Sequence, residues 1–352
     1  MKIKPMFAVG ALVVTILALA GMIGSTGSQA QALTPIEELG KFLLFDTELS
    51  TPRGQDCAAC HAPATGYTVP DSEINATLAV YPGAIDHRFG NRKPTTAAYG
   101  GDSPVLYYNE DDEVWVGGMF WDGRASGWTL GDPLAEQAQG PFLNPVEQNN
   151  PNTKTVCIKV RRSAYAGLFE QVWGPGSLDC GKGVELTYEY IARSIAAYER
   201  SAEVNPFSSK FDLFWDNALA AGLDVTAINV GNWEQYKGYG LSDDEVYGLA
   251  LFTDEEKSKC ALCHTFDLGE AGRPLFTDFT YDNLGVPKNP ANPWYTMPPK
   301  FNRDGADWID PGLAGFLQSA GFDEDVYMDE MGKHKVPTLR NVDLRPYPEF
   351  VK

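Results

Sequence analysis

Positive charge is scarce in this chain of 352 residues, which has 28 Lys and Arg against 47 Asp and Glu and a formal net charge of −19. An acidic surface repels nucleic-acid phosphates, so we expect no nucleic-acid partner. Strand signals are also few, and no stretch after residue 32 resembles a membrane span. The sequence therefore predicts a mostly α protein with long loops and little β structure.

The one long apolar run lies at the N-terminus. Two Lys residues precede the stretch 7–23, which is apolar apart from glycine and one Thr, and small residues follow at Ala30 and Ala32. This order is typical of a secretion signal. Because the run is short for a spanning helix, we favour cleavage near Ala30 or Ala32 over an uncleaved anchor. We predict that residues 1–32 are a signal peptide and that the mature protein is periplasmic or secreted.

Four of the six cysteines belong to two C-x-x-C-H motifs, at 57–61 and 260–264. Two thiols with this spacing reach the two vinyl groups of one haem, and the following His ligates its iron. A thioredoxin-like redox site would need a βαβ context, and a zinc site would not need a His directly after each pair. The sequence therefore predicts two covalently attached c-type haems. The attaching and ligating residues are Cys57, Cys60 and His61 for the first haem and Cys260, Cys263 and His264 for the second.

The remaining two cysteines are Cys157 and Cys180. In an oxidising compartment a leftover pair usually forms a disulfide. We therefore predict a structural disulfide between them rather than two free thiols.

Helix signals recur along the chain. Thr34, followed by Pro35 and two acids, predicts a helix start. Thr253 to Glu256 has the pattern of a capping box and predicts another start that leads into Cys260. Residues 62–112, rich in Gly, Pro, Asp and Asn, predict a long ordered loop. The sequence predicts further helices over 134–138, 165–173 and 186–198, the last with Ile191, Ile195 and Tyr198 on one face. The acids at 243–245 predict another helix that begins near Ser242.

Five further segments accompany the two motifs in a specific order. They are GKFLLFD at 40–46, GNRKPT at 90–95, FWDGRA at 120–125, EQAQGP with VE between 136 and 147, and VPTLRNV at 336–342. In these segments the chain resembles the bacterial di-haem cytochrome c peroxidases. It is also similar to their relative, the di-haem enzyme of methylamine utilisation, which oxidises tryptophans of a partner protein. The resemblance runs from about Leu33 to the end and is weakest over 202–240 and around the Cys157–Cys180 segment.

The resemblance implies two c-type cytochrome domains. An N-terminal peroxidatic haem domain would span 33–201, a connecting segment 202–240, and a C-terminal electron-transfer haem domain 241–352. In the family a further helical segment follows the late motif and supplies the other axial ligand of the second haem, a Met or a Tyr. This sequence stops before that position, so we expect either an incomplete C-terminal domain or another residue in that role.

The resemblance also implies roles for individual residues. His61 would be the proximal ligand of a peroxide-reactive haem, and His264 would ligate an electron-accepting haem. Glu147 would be the distal acid and base, in a pocket shaped by Gln137 and Pro141. Trp121 would lie between the haems and carry electrons.

Two assignments leave a simpler alternative open. His87 would be a removable distal ligand of the first haem, but a lone His in a polar loop is equally well explained as a solvated residue. Asn91 would help to hold a calcium ion between the domains, although it also suits an ordinary turn.

We therefore expect a di-haem peroxidase that reduces hydrogen peroxide to water with electrons from a small cytochrome c or a blue copper protein. A homodimer is compatible with this function. One alternative is a protein-modifying oxidase that uses a ferryl intermediate. Another is a plain electron carrier with two six-coordinate haems, against which the Glu147 pocket argues.

Overall fold

Helices dominate residues 32–347, the part of the chain that the computed structural model describes. The predicted secretion signal, apart from Ala32, lies outside these residues. The helices are α1 (Pro35–Leu44), α2 (Ser72–Ala76), α3 (Pro133–Leu143), α4 (Thr153–Arg161), α5 (Ala166–Trp173), α6 (Val184–Glu199), α7 (Lys210–Ala220), α8 (Asp243–Phe252), α9 (Leu313–Ser319) and α10 (Glu324–Met328). Two antiparallel pairs of short strands complete the description: β1 (Tyr107–Asn109) with β2 (Val114–Val116), and β3 (Tyr281–Asp282) with β4 (His334–Lys335). The predicted mostly α class is confirmed, and no helix between residues 32 and 347 is both long and apolar enough to cross a bilayer.

Several helix starts follow from local capping. The predicted start at Thr34 is confirmed, because the Glu37 carboxylate accepts hydrogen bonds from the backbone nitrogen and hydroxyl of Thr34, at 2.6 and 2.7 Å. Ser242 likewise caps α8. The helices predicted over 134–138, 165–173 and 186–198 correspond to α3, α5 and α6.

The first core lies where α1 packs along α6, with α3 and α4 also against α6. Leu39, Leu43 and Leu44 of α1 are fully buried there. Between them, Gly40 permits a close approach, since a Cβ at this position would lie 1.9 Å from the carbonyl oxygen of Ser194 in α6. Any side chain at position 40 would force the two helices apart.

The predicted disulfide between Cys157 and Cys180 is confirmed, with a Cα–Cα distance of 5.6 Å. Cys157 belongs to α4, and Cys180 lies in the loop before α6. The bond therefore ties the loop between α5 and α6 to the first core.

A second core forms around α7 and α8 and includes the buried residues Phe214, Trp215, Tyr236 and Val246. Segment 202–240 thus contains a helix that shares a core with α8, immediately before the second C-x-x-C-H motif. The division into 33–201, 202–240 and 241–352 stays a prediction.

The predicted helix start at Thr253 is wrong. Thr253 ends α8, and its hydroxyl donates a hydrogen bond to the carbonyl of Ile228 at 2.8 Å. Turns follow it until a short 3₁₀ turn at Cys260–Leu262. The Thr side chain is used to anchor a neighbouring loop, so it does not cap a new helix.

Candidate functional site

The first C-x-x-C-H motif folds into a tight 3₁₀ turn. The Asp56 carboxylate caps it by accepting a hydrogen bond from the backbone nitrogen of Ala59 at 2.8 Å, and His61 N donates to Cys57 O at 3.0 Å. This turn brings Cys57, Cys60 and His61 to the wall of one cavity of about 450 Å³. Cofactor sites typically have volumes of about 300–1,000 Å³.

His61 is oriented by its own backbone neighbourhood. Its Nδ1 lies 3.3 Å from the carbonyl oxygen of Tyr67. A carbonyl can only accept, so Nδ1 is the donor and Nε2 keeps its lone pair, as in most metal-ligating histidines. Burial lowers the pKa of His61, which also favours the neutral imidazole that binds metals.

The two thiols beside His61 do not have the electrostatics of a redox pair. Burial raises the pKa of Cys57 above its ordinary range and raises that of Cys60 to about 12. Catalytic C-x-x-C dithiols have lowered thiol pKa values instead. Two buried thiols and a neutral imidazole on one cavity wall fit a covalently attached haem, for which they would supply the thioether links and one axial ligand.

Another wall of the same cavity is built by α3 and the turn after it. Gln137 and Pro141 belong to α3 and line the cavity. The chain then reverses, with Glu147 N donating to Asn144 O at 3.0 Å and Gln148 N donating to Pro141 O at 3.1 Å. This turn places Glu147 in the cavity wall together with Gln137 and Pro141.

The carboxyl of Glu147 is held by one direct partner. The Asn144 amide donates to Glu147 Oε1 at 2.8 Å. Burial raises the pKa of Glu147, and the charge of Arg124 and the Asn144 hydrogen bond partly offset this effect. A carboxyl whose neutral form is favoured by burial is better suited to accept a proton and to return it than an exposed one.

Trp121 connects the cavity to the second half of the chain. Its side chain lines the cavity and donates from Nε1 to Lys93 O at 2.7 Å. Its carbonyl accepts a hydrogen bond from Lys335 N of β4 at 2.9 Å. The next residue, Val336, donates to Thr280 O at 2.9 Å, so Trp121 is linked to the segment that follows the second motif.

The second C-x-x-C-H motif repeats the geometry of the first. His264 N donates to Cys260 O at 3.0 Å, and His264 Nδ1 lies 2.8 Å from the carbonyl of Phe276. Burial, reinforced by Asp282 at 3.1 Å from its sulfur, raises the pKa of Cys263 to about 12. Four mutually packed aromatic rings lie in the same region: Phe211, Phe252, Phe266 and Phe276.

Asn91 and His87, the two site residues with a simpler alternative, lie in different places. Asn91 lines the first cavity, and its carbonyl accepts a hydrogen bond from the Asn292 side chain at 3.1 Å. The His87 side chain is 88% exposed and pairs with Asp86 at 3.2 Å, so this structure does not bring it to the cavity. Between residues 32 and 347, no group of three or more His, Cys, Asp and Glu side chains is arranged to hold a metal ion. The haem-ligand role of His87 and the calcium role of Asn91 stay predictions.

Two charged residues were missed by the sequence reasoning. Glu199, the last residue of α6, lines the cavity, is only 6% exposed, and has a pKa that burial raises to about 8. It continues the apolar stripe of Ile191 and Ile195 at four-residue spacing, and an acid on such a stripe was an available signal. Lys335, whose backbone contacts Trp121, has a pKa that burial lowers to about 7. Nothing in its local sequence distinguishes it from a surface lysine.

Comparison with known proteins identifies the family of the chain. A sequence profile described as di-haem cytochrome c peroxidase matches residues 34–219. Methylamine utilization protein MauG of Paracoccus denitrificans is 33% identical over 336 residues, which cover 94% of this chain and 75% of MauG. Cytochrome c551 peroxidase of Nitrosomonas europaea is 28% identical over 346 residues, which cover 95% of this chain and 77% of the peroxidase. The crystal structure of the diheme peroxidase BthA from Burkholderia thailandensis superposes with a TM-score of 0.70 at 29% identity, covering 90% of this chain and 70% of BthA. The chain is a member of the di-haem cytochrome c peroxidase family.

Proposed function

We propose that this protein reduces hydrogen peroxide to water with electrons from a small redox protein. The observation that carries the proposal is the position of Glu147. Its carboxyl lines the same cavity as Cys57, Cys60 and His61, together with Gln137. Cleavage of peroxide needs a group that moves a proton from one oxygen to the other, whereas electron transfer alone does not.

The haem that these residues would hold supplies an iron that binds peroxide and accepts electrons. Glu147 then accepts the proton of one peroxide oxygen and returns it to the other, which leaves as water. Asn144, at 2.8 Å, fixes the direction of the carboxyl for both transfers. One peroxide consumes two electrons and two protons and yields two water molecules. Acid–base assistance of this kind contributes about 10²–10⁴-fold to a rate.

Electrons would reach the cavity from the second haem, attached at Cys260 and Cys263 and ligated by His264. Trp121 lines the cavity, and its backbone carbonyl accepts a hydrogen bond from Lys335 N in β4. The donor would be a small cytochrome c or a blue copper protein. The net charge of −19 would attract a basic donor and speed its encounter.

Three further assignments belong to the proposal. The mature protein would act in the periplasm or outside the cell, after cleavage near Ala30 or Ala32. A calcium ion near Asn91 and a homodimer are compatible with it.

A second candidate function is the oxidation of a partner protein. It is favoured by the 33% identity to MauG, against 28% to the Nitrosomonas peroxidase. Both functions would use the same cavity and would differ in the source of the electrons.

The test is a stoichiometric peroxide titration of the purified holoprotein with a reduced small cytochrome c. The proposal expects two donor molecules oxidised for each peroxide consumed. Peroxide consumption that needs no donor, with oxidised side chains on an added partner protein, would support the second candidate. Absence of peroxide consumption in a protein that carries both haems would leave only the electron carrier.

A further inference from the structure

Glu199 is a buried ionisable residue of the cavity that the proposed mechanism does not use. It ends α6 and is 6% exposed. Its Oε2 is inaccessible to solvent and has no hydrogen-bond partner among residues 32–347. A buried carboxylate without a partner is costly, so such a group favours its neutral, protonated form.

The charges around Glu199 leave it without a dedicated cation. Arg200, the next residue, lowers its pKa, but the Arg200 guanidinium is already paired with Asp132 at 2.8 Å, and Asp132 raises the pKa again. The negative charge of Glu199 also helps to raise the pKa values of Cys57 and Tyr67. Cys57 would be a neutral thioether once a haem is attached, and Tyr67 is neutral as a phenol.

Glu199 and Glu147 come from different elements of the cavity wall. Glu199 is contributed by the end of α6 and Glu147 by the turn after α3, and both line the cavity. Among the charged groups that raise the pKa of Cys57, Glu199 has the largest effect, whereas Glu147 has the largest effect on the pKa of Cys60, so the two acids act on different attaching thiols.

We propose that Glu199 is a second proton-exchanging carboxyl of this cavity, which binds one proton when one electron arrives there and releases it when that electron leaves. The exchange balances charge, because one electron and one proton together leave the net charge of the cavity unchanged. The inference rests on the proposed haem attachment at Cys57 and Cys60. It does not require peroxide turnover, since electron arrival alone is enough.

The experiment is a potentiometric titration of the first haem in the holoprotein, repeated at several pH values from about 6 to about 9, on either side of the value of about 8 for Glu199. Where one electron carries one proton, each tenfold fall in proton concentration lowers the midpoint by about 59 mV. Wild type should show this slope over part of the range. Glu199→Gln should flatten it there, while Glu147→Gln and the surface control Glu185→Gln should keep it.

Infrared difference spectra between the oxidised and reduced holoprotein give a readout that needs no activity. At about pH 9, above the pKa of about 8 for Glu199, reduction should add the C=O stretch of a protonated carboxyl in wild type and Glu185→Gln but not in Glu199→Gln. Glu199→Asp keeps a carboxyl and covers the case in which the amide variant does not fold; it should retain the slope with a shifted midpoint. An unchanged slope and band in Glu199→Gln, or a flat response in Glu199→Asp, would overturn the proposal. Loss of peroxide turnover with an intact slope would count against the proposed function alone.

Discussion

The buried pair Arg340–Asp212 gives a test of how the late motif at 336–342 stabilises the second half of the chain. Both side chains are 3% exposed, and Arg340 Nη1 donates to Asp212 Oδ1 at 2.8 Å. Arg340 Nε also donates to Pro274 O at 2.8 Å, two residues before the carbonyl that holds His264. Arg340→Met would leave the Asp212 carboxylate buried without its cation.

Breaking a buried ion pair in this way costs about 3–5 kcal/mol in the free energy of unfolding. Denaturant unfolding of the holoprotein, with the midpoint compared at constant slope, measures the loss. Asp212→Asn in the Arg340→Met background removes the stranded charge and should restore part of the stability. The matched control is Lys210→Met, which breaks the exposed Lys210–Glu245 pair of the same helix and should cost less than about 1 kcal/mol. The prediction is contradicted if Arg340→Met lowers the free energy of unfolding no more than Lys210→Met does. It is also contradicted if Asp212→Asn restores none of the lost stability.

Two further predictions concern the haems. Mature protein made with the cytochrome c maturation machinery should carry two haems per chain, and a Cys57→Ala/Cys60→Ala variant only one; a pyridine haemochrome assay that finds two in the variant would contradict attachment at the first motif. Trp121→Phe should keep both haems but slow electron transfer between them, because Trp121 joins the first cavity to β4. Rapid reduction of the second haem followed by optical detection at the first measures this rate, and an unchanged rate would remove Trp121 from the route.

Some structural features could be predicted from the sequence. The helix start at Ser242 follows from the acids next to it. The Cys157–Cys180 bond follows from the cysteine count, because the other four cysteines belong to the two motifs.

Tertiary contacts decided the features that local patterns missed. The start of α7 was missed although Ser209 and Asp212 cap it, because the polar and Gly-rich residues around it suggested a linker. Thr253 failed as a helix start because its hydroxyl bonds to Ile228 O, which is 25 residues away in the sequence. The spacing of Glu199 from Ile191 and Ile195 was a signal of burial, but only the packing of α6 shows that Glu199 lines the cavity.

The account depends most on Glu147 as the acid and base of the first cavity. Rapid mixing of peroxide with holoprotein, followed at the absorbance of the first haem, tests it most directly. Glu147→Gln keeps the shape of the side chain, and the attachment residues Cys57, Cys60 and His61 are untouched, so both haems should remain. The reaction of this variant with peroxide should be about 10²–10⁴-fold slower than that of wild type and of the surface control Glu185→Gln. A Glu147→Gln variant that carries both haems and reacts at the wild-type rate would contradict the account.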